Sequence, residues 1–120
     1  MSPVRLRPAD PALVAAAVAR YRAGDAQPED LRLLTKHLLA LLVHRAPGGA
    51  VEVRVPPYAV AQCIEGTRHT RGTPPAVVET DPGTWVAVAL GDLAWDQAAR
   101  DGRLAASGER SDLSALLPLL

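Results

Sequence analysis

A thiol, a carboxylate and an imidazole fall within seven residues, at Cys63, Glu65 and His69. A cysteine beside a histidine is the minimum for nucleophilic catalysis, because the attacking thiolate needs a neighbour to take or hold its proton. The same residues also read as a small core side chain on a strand followed by a solvated loop histidine, the usual place for a cysteine on an apolar strand face. A metal site drawn from His37, His44, Cys63 and His69 meets a geometric objection. His37 and His44 are seven positions apart on one helix face, about 10 Å along its axis, too far for both to ligate one ion. No C-x-x-C or H-E-x-x-H spacing occurs. No catalytic residue, metal ligand or cofactor is therefore assigned.

Arg68, His69 and Arg71 place three donors in one glycine-bounded loop. They could meet a phosphate, a carboxylate or a ligand head group. They could equally be neutralised by Glu65 and Glu79 on the flanking strands. The segment G-T-R-H-T-R-G lacks the G-K-S/T of a phosphate-binding loop and does not run into a helix.

The elements that must position these residues can be read from periodicity and punctuation. Asp10 caps a helix with Pro11 at its first position, ending near Gly24; Leu13, Val14, Ala17, Val18 and Tyr21 form its apolar face. Pro28, Glu29 and Asp30 open a second helix, and His44 and Arg45 sit at its negative end. Its stripe of Leu31, Leu34, Leu38, Leu41 and Leu42 is widened by Leu33, Leu39 and Val43. A helix that apolar must be covered on two sides, by a sheet and by another helix or subunit. Val51, Val53 and Val55 alternate with Glu52 and Arg54, the mark of a half-buried strand. Tyr58 to Glu65 reads as a second strand and Ala76 to Thr80 as a third, with Val77 and Val78 buried. Asp81 and Pro82 open a third helix that stops at Gly91. Leu93, Trp95 and Ala99 mark a fourth, ending at Gly102. Arg103 to Ser107 is a last strand, and Ser111 or Asp112 caps a closing helix that Pro118 ends.

The tail carries a resemblance. The acidic residue and tryptophan before the link (Asp81, Trp85), the stop and restart at Gly91 and Leu93, and the run DGRLAASGERSDL from Asp101 to Leu113 resemble the C-terminal half of the sterol carrier protein family. The segment from Val55 to Asp81 is similar to the family's bacterial, stand-alone orthologue branch. The likeness covers Val51 to Leu120 well and the first fifty residues only loosely. It implies a single α+β domain over residues 1–120, with N-terminal helices over 11–46 and the sheet and C-terminal helices over 50–120. The sheet is small and mixed, of four to five strands, covered by about five helices.

The resemblance also implies non-catalytic binding or carriage of an apolar ligand, such as a fatty acyl chain, a sterol or another lipid, between sheet and helices. The walls would include Ile64, Val77, Trp85, Leu93, Leu104 and Leu116, although periodicity alone makes these simply core. An empty ligand pocket of ~300 Å³ would cost on the order of 7 kcal/mol at about 24 cal/mol per Å³. That rivals the whole stability of a small domain, so either a ligand fills the space or the space has closed. The alternative is a protein interaction or accessory module with a collapsed pocket, related to the C-terminal domain of maleylpyruvate-isomerase-type enzymes. There a separate helical bundle carries the metal, and this chain has no triad of bundle histidines. Its partner surface, for another protein or a second copy, would be the helix over 28–46.

Composition narrows the rest. Net charge is zero, with 13 basic and 13 acidic side chains, so nucleic acid is not an expected partner. No stretch is long and apolar enough to span a membrane, no leader is visible, and a lone cysteine fits a reducing cytoplasm. The Leu-Pro-Leu-Leu terminus is not the peroxisomal address of eukaryotic carriers in the family.

Overall fold

A computed structural model describes residues 6–66 and 76–120. The elements follow in the order α1 (Pro11–Arg22), α2 (Pro28–Arg45), β1 (Val51–Val55), β2 (Ala59–Cys63), β3 (Ala76–Thr80), α3 (Pro82–Leu90), α4 (Trp95–Arg100) and β4 (Leu104–Ser107), with a 3-10 turn at Ser114–Leu116. The four strands form one mixed sheet in the order β2-β1-β3-β4. β1 and β2 are an antiparallel hairpin with Val55 opposite Ala59. β3 lies parallel to β1, with Val53 beside Val78, and β4 returns antiparallel to β3, with Thr80 opposite Leu104. The architecture is α+β, with four α-helices and one short turn where about five helices were expected.

The period-two pattern decides which face of the sheet meets the helices. Val51, Val53, Val55, Ala59, Ala61, Cys63, Ala76, Val78, Thr80 and Leu104 are buried, and their neighbours along each strand are not. α2 packs on β2, α1 and α3 pack on α2, and α4 packs on β4. The α2 leucines Leu34, Leu38, Leu39 and Leu42 are wholly buried and belong to the same core as the small residues of β2. Large side chains on the helix face small ones on the strand, which lets the two layers approach closely. Each buried leucine contributes about 1.5–3 kcal/mol.

The cover that α2 requires is supplied within the chain. α1 and α3 lie against its other flanks, and Leu39 is fully buried. A charge at Leu39 would therefore disrupt the core before it disrupted any partner. Of its leucines and its valine, only Leu31, Leu33, Leu41 and Val43 stay partly open. Leu13, expected on the apolar face of α1, is 56% exposed; Val14 and Ala17 make the contact instead.

Two boundaries differ from the sequence reading for identifiable reasons. β2 stops at Cys63 because Ile64 takes φ +68°, which turns the backbone out of the ladder. Its N–H donates to the Ala46 carbonyl at 2.7 Å, and its carbonyl accepts from Ala50 N at 2.9 Å. The expected closing helix shrinks to one 3-10 turn, held by Asp112 Oδ1 accepting from Ser114 N. Its two flanking leucines, Leu113 and Leu119, are buried, and so short a segment gains too few hydrogen bonds to offset helix nucleation. The tail is extended instead. Leu119 N donates to the Ala89 carbonyl at 2.8 Å, and Arg45 Nη1 donates to the carbonyls of Leu116 and Pro118 at 2.7 and 2.8 Å.

Candidate functional site

The layer between sheet and helices is where the expected ligand-contacting side chains must be judged. Trp85 comes from α3, a helix in which Thr84 through Leu90 are all buried. Asp81 starts this helix by accepting from Thr84 N at 3.1 Å and from Thr84 Oγ1 at 2.6 Å. Burial alone would push the Asp81 carboxyl up; the hydrogen bonds from Thr84 outweigh it and hold the carboxyl below its ordinary value. Gly91 closes the helix at φ +82°, a conformation that glycine adopts without steric cost. Trp85 is 0% exposed, and its indole Nε1 donates to the Thr35 carbonyl of α2 at 3.3 Å. Leu104 lies in the same core, and Leu93, Leu116 and Ile64 pack at its margin, partly buried.

Val77 does not join them. It is half-buried, and its strand neighbours Ala76 and Val78 take the core positions. In register it sits beside Glu52 and Ser107, on the sheet face turned away from the helices. The expectation that Val77 and Val78 are both buried is corrected by the strand's own alternation. Arg68, His69 and Arg71, the expected head-group loop, lie outside the described residues. At the start of that loop Arg110 Nη1 donates to the Glu65 carbonyl.

The nucleophile reading loses its chemistry. Cys63 is fully buried on the core face of β2, and burial pushes its thiol up to about 11. A thiol of that kind is protonated at neutral pH and is a poor nucleophile. His37 is buried, and its Nδ1 accepts the Ala9 N–H at 2.9 Å. That bond fixes the neutral ring, and desolvation by burial lowers its pKa. His44 is exposed at the end of α2. Among the described residues no three metal-ligating side chains converge.

Other polar groups emerge that patterning did not single out. Asp30, 5% exposed, accepts from Arg20 Nε and Nη2 at 2.9 and 2.8 Å and from Gln27 N at 3.0 Å. It thus caps α2 and ties α1 to it, and the paired guanidinium draws its carboxyl below the ordinary range. Arg22 pairs with Asp92 through two contacts at 3.2 and 3.1 Å. Thr35 is 0% exposed, and its Oγ1 has no hydrogen-bond partner among the described residues. An unpaired buried hydroxyl costs about 1–3 kcal/mol. The signal was present as one threonine in the middle of a leucine-rich helix.

Comparison with curated proteins gives no match. A family model described as bacterial SCP ortholog matches residues 27–119. The match begins one residue before α2 and takes in the whole sheet, α3, α4 and the strapped tail, leaving α1 outside. With the mixed four-stranded sheet covered by helices on one face, it makes this chain a member of the bacterial sterol carrier protein ortholog family.

Proposed function

We propose that the protein binds or carries an apolar small molecule between the sheet and the α2–α3 layer, without catalysing its conversion. The observation that carries this reading is the family match over residues 27–119, which includes both layers between which such a ligand would lie. Trp85 and Leu104 would contact it from within, and Leu93, Leu116 and Ile64 from the margin. These five side chains belong to or border one core. Val77, on the far face of the sheet, is left out. The inert Cys63 thiol and the occupied Nδ1 of His37 support binding over covalent chemistry. The described helices include none long and apolar enough to cross a membrane, and we place the protein in the cytoplasm.

Native mass spectrometry of freshly purified protein, followed by solvent extraction, tests the reading. The expected result is a discrete added mass in the lipid range, lost on denaturation. Added acyl chains or sterols should raise the melting temperature by mass action, by about 2.7 kcal/mol of stabilisation at a hundredfold excess over Kd. Protein that carries nothing and ignores both ligand classes would overturn it. The interaction-module reading, acting through the partly open Leu33, Leu41 and Val43 of α2, would then lead.

A further inference from the structure

The Thr35 hydroxyl is a buried polar group that the fold leaves unused. Helix α2 aims leucines into the core before and after it, at Leu34, Leu38 and Leu39, all fully buried. Trp85 spends its single donor on the Thr35 carbonyl, so the indole cannot satisfy the hydroxyl as well. The other buried threonines are occupied. Thr80 Oγ1 donates to the Arg103 carbonyl at 2.8 Å, and Thr84 Oγ1 donates to Asp81. Buried polar groups are nearly always paired, so an orphan of this kind calls for a partner, either an ordered water or a ligand atom.

We infer that the unpartnered Thr35 hydroxyl, buried where α2 meets Trp85 of α3, is the polar anchor of the bound ligand, and that this ligand is a neutral lipid bearing a hydroxyl or carbonyl rather than a fatty-acid anion. The inference rests on the binding reading above and adds the ligand's polar chemistry to it. A hydroxyl both donates and accepts, so it complements an alcohol or a carbonyl equally well. A carboxylate needs a cation or several donors when taken out of water. The buried ionisable groups near α2 offer neither: Asp30 is an anion already paired with Arg20, and His37 is a neutral ring whose Nδ1 is taken by Ala9. No arginine or lysine is buried among the described residues.

The test compares 1-hexadecanol with hexadecanoate on the parent protein, Thr35→Val and Thr35→Ser, by competition in native mass spectrometry and by thermal shift. The parent should prefer the alcohol. Thr35→Val, which keeps the shape and removes the hydroxyl, should weaken the alcohol about tenfold and erase the preference. Its ligand-free melting temperature should hold or rise, which separates an anchor from a structural role. Thr35→Ser should restore the preference. A parent that binds both lipids alike, or a Thr35→Val protein that keeps the preference, overturns the inference while leaving the binding reading intact. A parent that binds neither overturns the inference, and one that also ignores sterols overturns the binding reading.

Discussion

Ile64 is the residue that the backbone treats least kindly. A β-branched side chain at φ +68° is a genuine outlier, and the left-handed conformation costs an L-residue about 1–2 kcal/mol. The position is fixed from both sides. Ala46 and Ala50 take both backbone groups of Ile64, and a Cβ on Gly48 would collide with its carbonyl oxygen. Glycine is ordinarily worse than alanine in a folded chain, but here the order should invert. Ile64→Gly should be more stable than Ile64→Ala by about 1 kcal/mol in urea unfolding. The normal order would mean that this turn is not left-handed. The strain was invisible in the sequence because Ile64 continues the strand alternation of Val60 and Gln62 without a break. The same is true of Val77, which composition could not assign to one face. The pairing register with β1 and β4 was needed for that.

At the scale of elements, the strongest punctuation read correctly. Pro28 and Asp30 start α2, Asp81 and Pro82 start α3, and Gly91 ends it, as the spacing predicted. Asp81 carries that information because it satisfies two donors of Thr84 at once. Asp81→Ala should cost about 1 kcal/mol, seen as a lower urea midpoint with an unchanged slope. A loss below a few tenths would show that the burial of α3 alone sets its start. Elements held by long-range contacts were the least legible. The closing helix was written in the sequence as Ser111, Asp112 and an apolar run, yet Leu119 reaches back to α3 and pulls the segment straight. The wide apolar stripe of α2 correctly implied cover on two sides. Nothing in its pattern said that the cover would be α1 and α3 rather than a second subunit.

For the molecule as a whole, α1 is the peripheral part. It packs mainly against α2, reaching α3 through Tyr21 Oη donating to the Gly83 carbonyl; it lies outside the family match, and two ion pairs and one histidine hold it or its approach. His37 makes that attachment sensitive to acid. Its folded pKa is lowered, so the unfolded state binds the proton more readily. Stability is full above the ordinary histidine value of about 6.5 and falls as the pH drops below it. Protonated His37 also cannot accept from Ala9. Hydrogen exchange of α1 amides should therefore quicken between neutral pH and about pH 5, relative to the β1 and β3 amides, once the intrinsic pH dependence of exchange is removed. His37→Gln, neutral at either pH, should abolish the difference. Uniform behaviour of helix and sheet would mean that α1 is part of the core cooperative unit. Asp30 adds a second, lower window. Its depressed carboxyl stabilises the fold above its ordinary value and stops doing so as the pH falls through the folded one.

The strapped tail has a consequence for synthesis. Arg45 at the end of α2 waits for the carbonyls of Leu116 and Pro118, Ala89 waits for Leu119, and β3 waits for β4. A nascent chain emerging in order can assemble the α1–α2 pair and the β1–β2 hairpin early, because their contacts are local. β3 cannot gain its second neighbour until β4 has emerged, and the end of α3 is not strapped until Leu119 has followed. During that interval the outer edge of β3 and the far end of α3 stand open to other chains, although α3 can already pack on α2, so the segment from β4 to Leu119 decides how long the nascent fold stays exposed.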